Sequence, residues 1–575
     1  MKRKNLFLSL ISSVLVAVAI ITVTIVSVIK PNTKPKGDKG NQGDNISIVT
    51  DDEKYDIENN FNRNGSEEYP YIIYSADSFK NLISKFGGEK RVITKPATET
   101  VEIDGVQTEV LKKDSEGHLI FERVLDADGK EIYGVYNFVF ARDVDFSETE
   151  YVTLFNAGKP FIGNIDAKGF ALKNVSIGVT TENLMTKFSF INANKRYARI
   201  ALFGEIEGSV IKNMKVESLN VSVASDVFAY INDAQYAYAD GQFAELVVAG
   251  IAGVARNATI SSVSLDARIS GSSYALKNEG NALIADNAMG GVVAVAENLT
   301  VDSSKVSVSI SANAGSEYLI GGVAAYGRIA KVSNSEIAVA IDASYSQRLT
   351  MAGMFAYARA LEATDCSVNF VLNETASQEA RNAYVNELTN GNTTLAQAGK
   401  MSTAAGIACV IRANNSTQKT VISNVTVKSN VDFDCIFAGA ILDTYSTSPT
   451  TKDLITLTDI IVDANAKVLA LHGFARQLVA TTVSYGDAKL AEGYFNIKIS
   501  GSARLNKYIS SVNATETVTR GGATIFTAAE KKYVSYLYKD LFIQVTSDAD
   551  TCFMNGFDRF SIKTNSFGSY TVIAG

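Results

Sequence analysis

Asp143 and Asp145 stand two residues apart, so an extended chain puts both carboxylates on one face. Asp166 follows about one coil later in the repeat pattern set out below. Clustered carboxylates can hold Ca²⁺, which takes several oxygen ligands, and they also serve β-helical lyases and hydrolases. The bland alternative is a set of turn and edge acids in an acidic protein. Asp548 and Asp550, near Asn555 and Asp558, form a second cluster of the same kind.

A different chemistry is offered by Phe228, Tyr230, Asn232, Asp233, Tyr236, Tyr238, Asp240 and Phe243. Tyr230, Tyr236, Tyr238 and Asp240 make a contact set suited to a sugar or a protein, on an insertion of the kind that carries binding in solenoids. The competing account is a loop folded back on its own coil. The other large insertion, 374–404, has helical spacing from Ser377 to Leu388, with Thr375 and Gln378 as a capping box and Gly391 as a stop.

Nucleophilic catalysis needs a histidine held by a third group. His118 lies in a charged stretch and His472 stands alone before Gly473, with no motif around either. Cys366, Cys409, Cys435 and Cys552 lack Cys-x-x-Cys spacing, which argues against a zinc site. Outside a cell they can form up to two disulfides. Cys366, Cys409 and Cys435 fall on repeat units, where a thiol also serves as a small buried apolar group. With a formal net charge of −7 and no basic patch interleaved with aromatics, the chain is not read as a nucleic-acid binder.

These residues are positioned by a repeat. Ala201-Leu202-Phe203-Gly204 opens a unit whose tail alternates through Val216, Leu219, Val221 and Val223. Similar heads recur at Ala249-Gly250, Gly290-Gly291, Gly321-Gly322 and Ala352-Gly353, and more loosely at Ala405-Gly406 and Ala438-Gly439. From Gly204 onward the second members are separated by 46, 41, 31, 31, 53 and 33 residues, a unit near 31 with insertions. Such a period marks a solenoid, in which each unit buries its face on the next. Tails such as Val306, Val308, Ile310 and Ile337, Val339, Ile341 have strand periodicity. The Gly-containing heads fit a tight corner, where a Cβ would block the neighbouring coil. The fold expected is all-β, a right-handed parallel β-helix, with an antiparallel sandwich as the alternative. Five of the six prolines precede the repeats, which leaves the strand ladders uninterrupted.

Lys2-Arg3-Lys4 precede an uncharged apolar run from Asn5 to Ile29. As a helix it would reach about 37 Å at ~1.5 Å per residue, enough to cross a bilayer. It is longer than a secretory apolar region and no clean Ala-x-Ala site closes it, so a transmembrane signal anchor is favoured over a cleaved peptide. The chain thus divides into an anchor (1–30), a flexible linker (31–68), an N-terminal cap with a hairpin excursion (69–135), the solenoid (136–483), and irregular coils or a β-rich cap (484–575). In the cap, Phe79, Leu82, Ile83 and Phe86 make one helix face, placed to plug the open end of the solenoid. Asp104-Gly105 and Asp128-Gly129 are turn signals.

Around the first coils the order is Pro70-Tyr71-Ile72-Ile73, a short helix, Phe161-Ile162-Gly163-Asn164-Ile165-Asp166-Ala167-Lys168-Gly169, Leu172-Lys173-Asn174-Val175, then Leu202-Phe203-Gly204 and Ile211-Lys212-Asn213. This order resembles bacterial cell-surface proteins with GLUG-type β-helical repeats, over roughly residues 69–480. The family's Asp-Gly-Asn-Gly-His stretch reads Asp166-Ala167-Lys168-Gly169-Phe170 here. The resemblance implies a surface location and an adhesin-like or cell-wall role. The expectation is a single-pass membrane protein with its bulk extracellular, binding a glycan or a host or envelope protein and not acting as an enzyme. A polysaccharide lyase or hydrolase and a structural spacer are the alternatives.

Overall fold

The computed structural model describes residues 60, 62–192, 195–227, 242–271, 274–275, 288–312, 318–344, 349–375, 402–413, 419–433, 435–446, 455–468, 470–472, 475–477, 494–505, 517–520, 523–527, 532–533, 545–548, 551–553, 560–564 and 570–574. Strands dominate them, and they pair chiefly in parallel.

Three ladders run through the repeats, and the chain visits them in turn. The first stacks Lys195–Ile200, Gln242–Ala249, Ala288–Gly290, Tyr318–Gly321, Leu349–Ala352, Thr403–Ala405, Ile436–Ala438 and Ala470–His472, each parallel to the one before. The second stacks Phe203–Glu207 on Ala252–Ser261, then Val293–Asp302, Ala324–Gly327, Phe355–Ala358, Ala408–Ala413 and Ile441–Ser446. The third stacks Lys215–Val223, Ser264–Gly271, Lys305–Ala312, Glu336–Ala343, Leu361–Glu374, Thr420–Asp432, Ile455–Val468 and Tyr494–Leu505.

Strand periodicity decides what is buried. Lys305–Ala312 alternates exposed and buried side chains, and Val306, Val308 and Ile310 lie directly against Ile337, Val339 and Ile341. These apolar columns continue into Val368, Phe370 and Leu372. Each such side chain removed from water contributes about 1.5–3 kcal/mol.

Two corners explain the heads and tails. Between the first and second ladders, a Cβ on Gly250 would lie 2.5 Å from the Gly291 carbonyl oxygen. The same collision, closer still, recurs for Gly291 on Gly322, Gly322 on Gly353, Gly353 on Gly406 and Gly406 on Gly439. The pairing corrects one assignment. Phe203 lies opposite Ala252, so Gly204 aligns with Gly253, and Leu202 holds the place of Gly250, donating its N–H to that residue's carbonyl. At the turn into the third ladder a single left-handed residue bends the chain, ahead of the strand or, for Asp365, Asn424 and Asp459, within it: Asn213, Ser262, Ser303, Asn334, Asp365, Asn424 and Asp459 all have φ between 49° and 56°. Asn, Asp and Ser suit this corner because short polar side chains bond the local backbone.

At the amino-terminal end, Tyr71–Ile73 pairs with Asn137–Phe140, so the ladder begins inside the segment read as a cap. The helix Ala76–Phe86 starts at Ser75, whose side chain closes a capping box with Ser78. Its Phe79 is buried edge-on against Phe140 and Phe146, covering the first coil as its apolar face predicts. The hairpin Thr98–Ile103 with Val106–Leu111 turns on Asp104-Gly105, both at positive φ. Beyond Tyr494–Leu505 the pairing becomes antiparallel, through Phe560–Thr564 and Tyr570–Ala574. Parallel stacking ends there. No helix among the described residues is long and apolar enough to cross a membrane, and the apolar run 5–29 lies outside them.

Candidate functional site

The acidic trio is held by its own neighbours. Val144–Asp145 pairs with Ala171–Lys173, which brings the Lys173 ammonium to 2.6 Å from Asp143. Asp143 also accepts from the Ala171 N–H at 2.9 Å. Asp145 accepts from the Asn174 side chain and the Ser147 N–H, both at 2.9 Å. Asp166 sits at a different corner, accepting from Asn213 at 2.9 Å and the Lys168 N–H at 3.0 Å, with the ammonium groups of Lys168 and Lys212 at 3.1 and 3.6 Å. The Lys173 contact holds Asp143 below the usual carboxylate range, and the Asn174 amide does so for Asp145. For Asp166 partial burial pushes the other way, but the hydrogen bonds from Asn213 and Lys168 outweigh it. With lysines and amides filling these oxygens, Asp143, Asp145 and Asp166 as placed are not a Ca²⁺ ligand set. Among the described residues no group of three or more His, Cys, Asp or Glu could hold a metal.

The remaining sequence candidates have simpler places. Tyr230, Tyr236, Tyr238, Asp240 and the stretch Ser377 to Leu388 lie outside the described residues, as do Asp550, Asn555 and Asp558. His118 closes a turn with Asp114, its Nδ1 3.4 Å from that carboxylate. His472 stands opposite Ala438 in the first ladder. Cys366, Cys409 and Cys435 are buried. Cys366 occupies the rung position of Ser304 and Ser335, and like Ser304 and Ser335 it donates to the carbonyl two residues back, here Thr364. Burial pushes its thiol pKa up, as expected of a packing group and not a nucleophile.

Reading along the sequence did not find the most polar buried feature, which lies where the outer faces of the first and second ladders meet. Leu246 and Val248 point into the main core, whereas the alternate residues Val247 and Ala249 belong to a second cluster with Val254, Val295, Ala325 and Tyr326. The outer faces of the two ladders therefore meet at an inward angle, the outer cleft, whose floor is this packed cluster. At its amino-terminal end Arg199 pairs with Glu205 and, at 2.7 Å, with Glu245. Arg256 pairs with Glu205 and, at 3.2 Å, with Glu297, which reaches Arg328 at 3.8 Å. The Arg199 guanidinium also lies 5.5 Å from the ring centroids of Phe190 and Tyr197. Arg199 and Glu205 are buried, and burial, then the nearby Arg199, lowers the Arg256 pKa.

The cleft changes character along its length. Register places Glu207, Arg256 and Glu297 on successive rungs, followed at the same position by Arg328, Arg359 and Arg412. Each of the residues from Arg256 to Arg412 stands six past the second residue of its head. Two positions earlier, Tyr326 and Tyr357 stack at 5.2 Å with planes 9° apart. The arrangement can bind and orient a ligand. It holds no nucleophile–base pair.

No family model matches the chain, and no curated protein does. Among solved structures, an IgA1 protease is similar over 72% of this chain and 26% of its own, at 12% sequence identity and a TM-score of 0.26. The chain thus spans about a quarter of that protein's length, and a likeness this slight carries no argument about activity.

Proposed function

We propose that this chain is a membrane-anchored extracellular protein whose right-handed parallel β-helix displays binding surfaces for a glycan or for a host or envelope protein. One observation carries the reading: the two longest insertions within the repeats, with a shorter third, leave the ladders at one corner. Residues 224–241, 272–287 and 375–402 each join a third-ladder strand to the next first-ladder strand. A rigid wall with its variable segments gathered along one edge is how solenoids present contact residues. The apolar run 5–29 serves as the anchor, and the resemblance to GLUG-type surface proteins agrees with this placement.

The test is a screen of the full chain in detergent against glycans and matrix proteins, scoring binding and cleavage with and without Ca²⁺. Saturable binding without products, weakened by Tyr236→Ala and Tyr238→Ala, is the expected result. Turnover abolished by Asp143→Asn or Asp166→Asn would replace this reading with a polysaccharide-degrading enzyme.

A further inference from the structure

We infer that the carboxyl-terminal half of the outer cleft, centred on Arg328, Arg359, Arg412 and the Tyr326–Tyr357 stack, binds an anionic glycan through its carboxylate or sulfate groups. The proposal gives a ligand class to the binding-module reading and rests on it.

Charge is the first argument. Up to Glu297 the cleft alternates in sign, and each cation there has an acid at hand. From Arg328 onward three arginines follow one another on adjacent rungs, about 4.8 Å apart along the ladder. Like charges directly opposite one another destabilise a sheet. Glu297 is shared between Arg256 and Arg328, and Glu362 is taken by Lys331 at 2.8 Å. Among the described residues Arg359 and Arg412 have no ion pair. Asp443 follows Val410 in the tyrosine column, one rung on and diagonally across from Arg412. In a chain of net charge −7, a strip of like cations in a cleft is placed to meet an external anion.

Unmet hydrogen-bonding capacity is the second argument. Tyr326 is 2% exposed with its hydroxyl beside Arg359, and the buried Arg359 Nε has no hydrogen-bond partner among the described residues. A buried polar group left unpaired costs stability unless something completes it. A phenol and guanidinium groups together supply O–H and N–H donors, which suits carboxylate or sulfate oxygens. Rung spacing argues against an extended peptide. An extended peptide repeats same-face side chains every two residues, roughly 6.6 Å, which does not match rungs at about 4.8 Å.

The experiment measures retention of the full chain in detergent on polygalacturonate, dextran sulfate, neutral dextran and poly-L-glutamate across a salt series. Arg328→Gln, Arg359→Gln, Arg412→Gln and their triple combination are compared with Lys305→Gln on the third ladder. Thermal unfolding checks that each variant is folded. The expected result is salt-sensitive binding of polygalacturonate or dextran sulfate, weakened at least tenfold by Arg359→Gln and lost in the triple variant, with Lys305→Gln unchanged. Whichever polymer binds identifies carboxylate or sulfate as the group recognised. Equal retention on neutral dextran, tighter retention on poly-L-glutamate, or binding indifferent to the triple substitution would overturn the inference while leaving a binding module standing. Retention on none of the four also overturns it, and the wider screen then decides the binding-module reading separately.

Discussion

Gly322 packs against Gly353 so closely that a Cβ on the former would collide with the carbonyl oxygen of the latter. The constraint is steric and comes from the next coil, so it repeats wherever a coil lies above. Gly322→Ala should destabilise the protein by about 1–3 kcal/mol, the usual cost of overpacking. Gly178, with open space where its Cβ would be, is the control, and Gly178→Ala should be neutral or slightly stabilising. Thermal unfolding of the two variants separates a corner requirement from a general sensitivity of strand glycines.

Glu205 lies between Arg199 and Arg256 in the closed end of the cleft. Removing its charge leaves the buried Arg199 with Glu245 alone and the half-buried Arg256 with Glu297, with no carboxylate between the two cations. Glu205→Gln should cost about 3–5 kcal/mol, as breaking a buried ion pair commonly does. A loss well below 1 kcal/mol in denaturant unfolding would mean that water enters this end of the cleft.

Phe79 is fully buried between the capping helix and the first coil, with Phe140 and Phe146 edge-on to it. Phe79→Ala should destabilise by about 3–5 kcal/mol. Because it opens the end of a stack, amide exchange should rise first at Tyr71–Ile73 and Asn137–Phe140 and last in the central rungs.

Asp302 accepts from the Ser333 hydroxyl at 2.6 Å and the Asn334 amide at 3.0 Å, and these bonds hold its carboxyl below the usual range. A carboxyl with a lowered folded-state pKa stabilises the protein above its unfolded-state value, near 3.9, and loses that contribution as pH falls through the folded-state value. The melting temperature should therefore hold from pH 7 to about pH 5 and drop below about pH 4. Asp302→Asn should lower it at pH 7 and flatten the acid-side decline.

The parallel repeat was legible because stacking demands the same residue type at the same place in each coil. The alternation in Val306, Val308 and Ile310 and the heads at Gly291 and Gly322 both follow from it. The left-handed corner was legible too, as Asn, Asp or Ser two residues beyond an apolar residue, in Ile211-Lys212-Asn213 and Val332-Ser333-Asn334, although the sequence reading took it only as a motif. Gly204 misled because an Ala-Leu-Phe-Gly string resembles a head, while the register gives that place to Leu202. The cleft was hidden for a related reason. Arg328, Arg359 and Arg412 lie 31 and 53 residues apart and form a strip only when the heads are aligned, insertions included. Asp143, Asp145 and Asp166 attracted attention by their spacing in the sequence, but Lys173 and Lys212 come beside them only through strand pairing, and Lys168 through the local turn after Asp166.

The account's central claim is that the solenoid lies outside the cell, where its surfaces can meet a ligand. A cysteine placed at Lys305, whose side chain is 69% exposed on the third ladder, tests this directly. Cys366, Cys409 and Cys435 are buried, and the wild-type chain gives the background. Cells carrying Lys305→Cys would be treated with a membrane-impermeant maleimide, intact and after permeabilisation. Labelling of intact cells above the wild-type background is the result predicted, with little further gain on permeabilisation. Labelling that needs permeabilisation would place the solenoid inside and contradict the account.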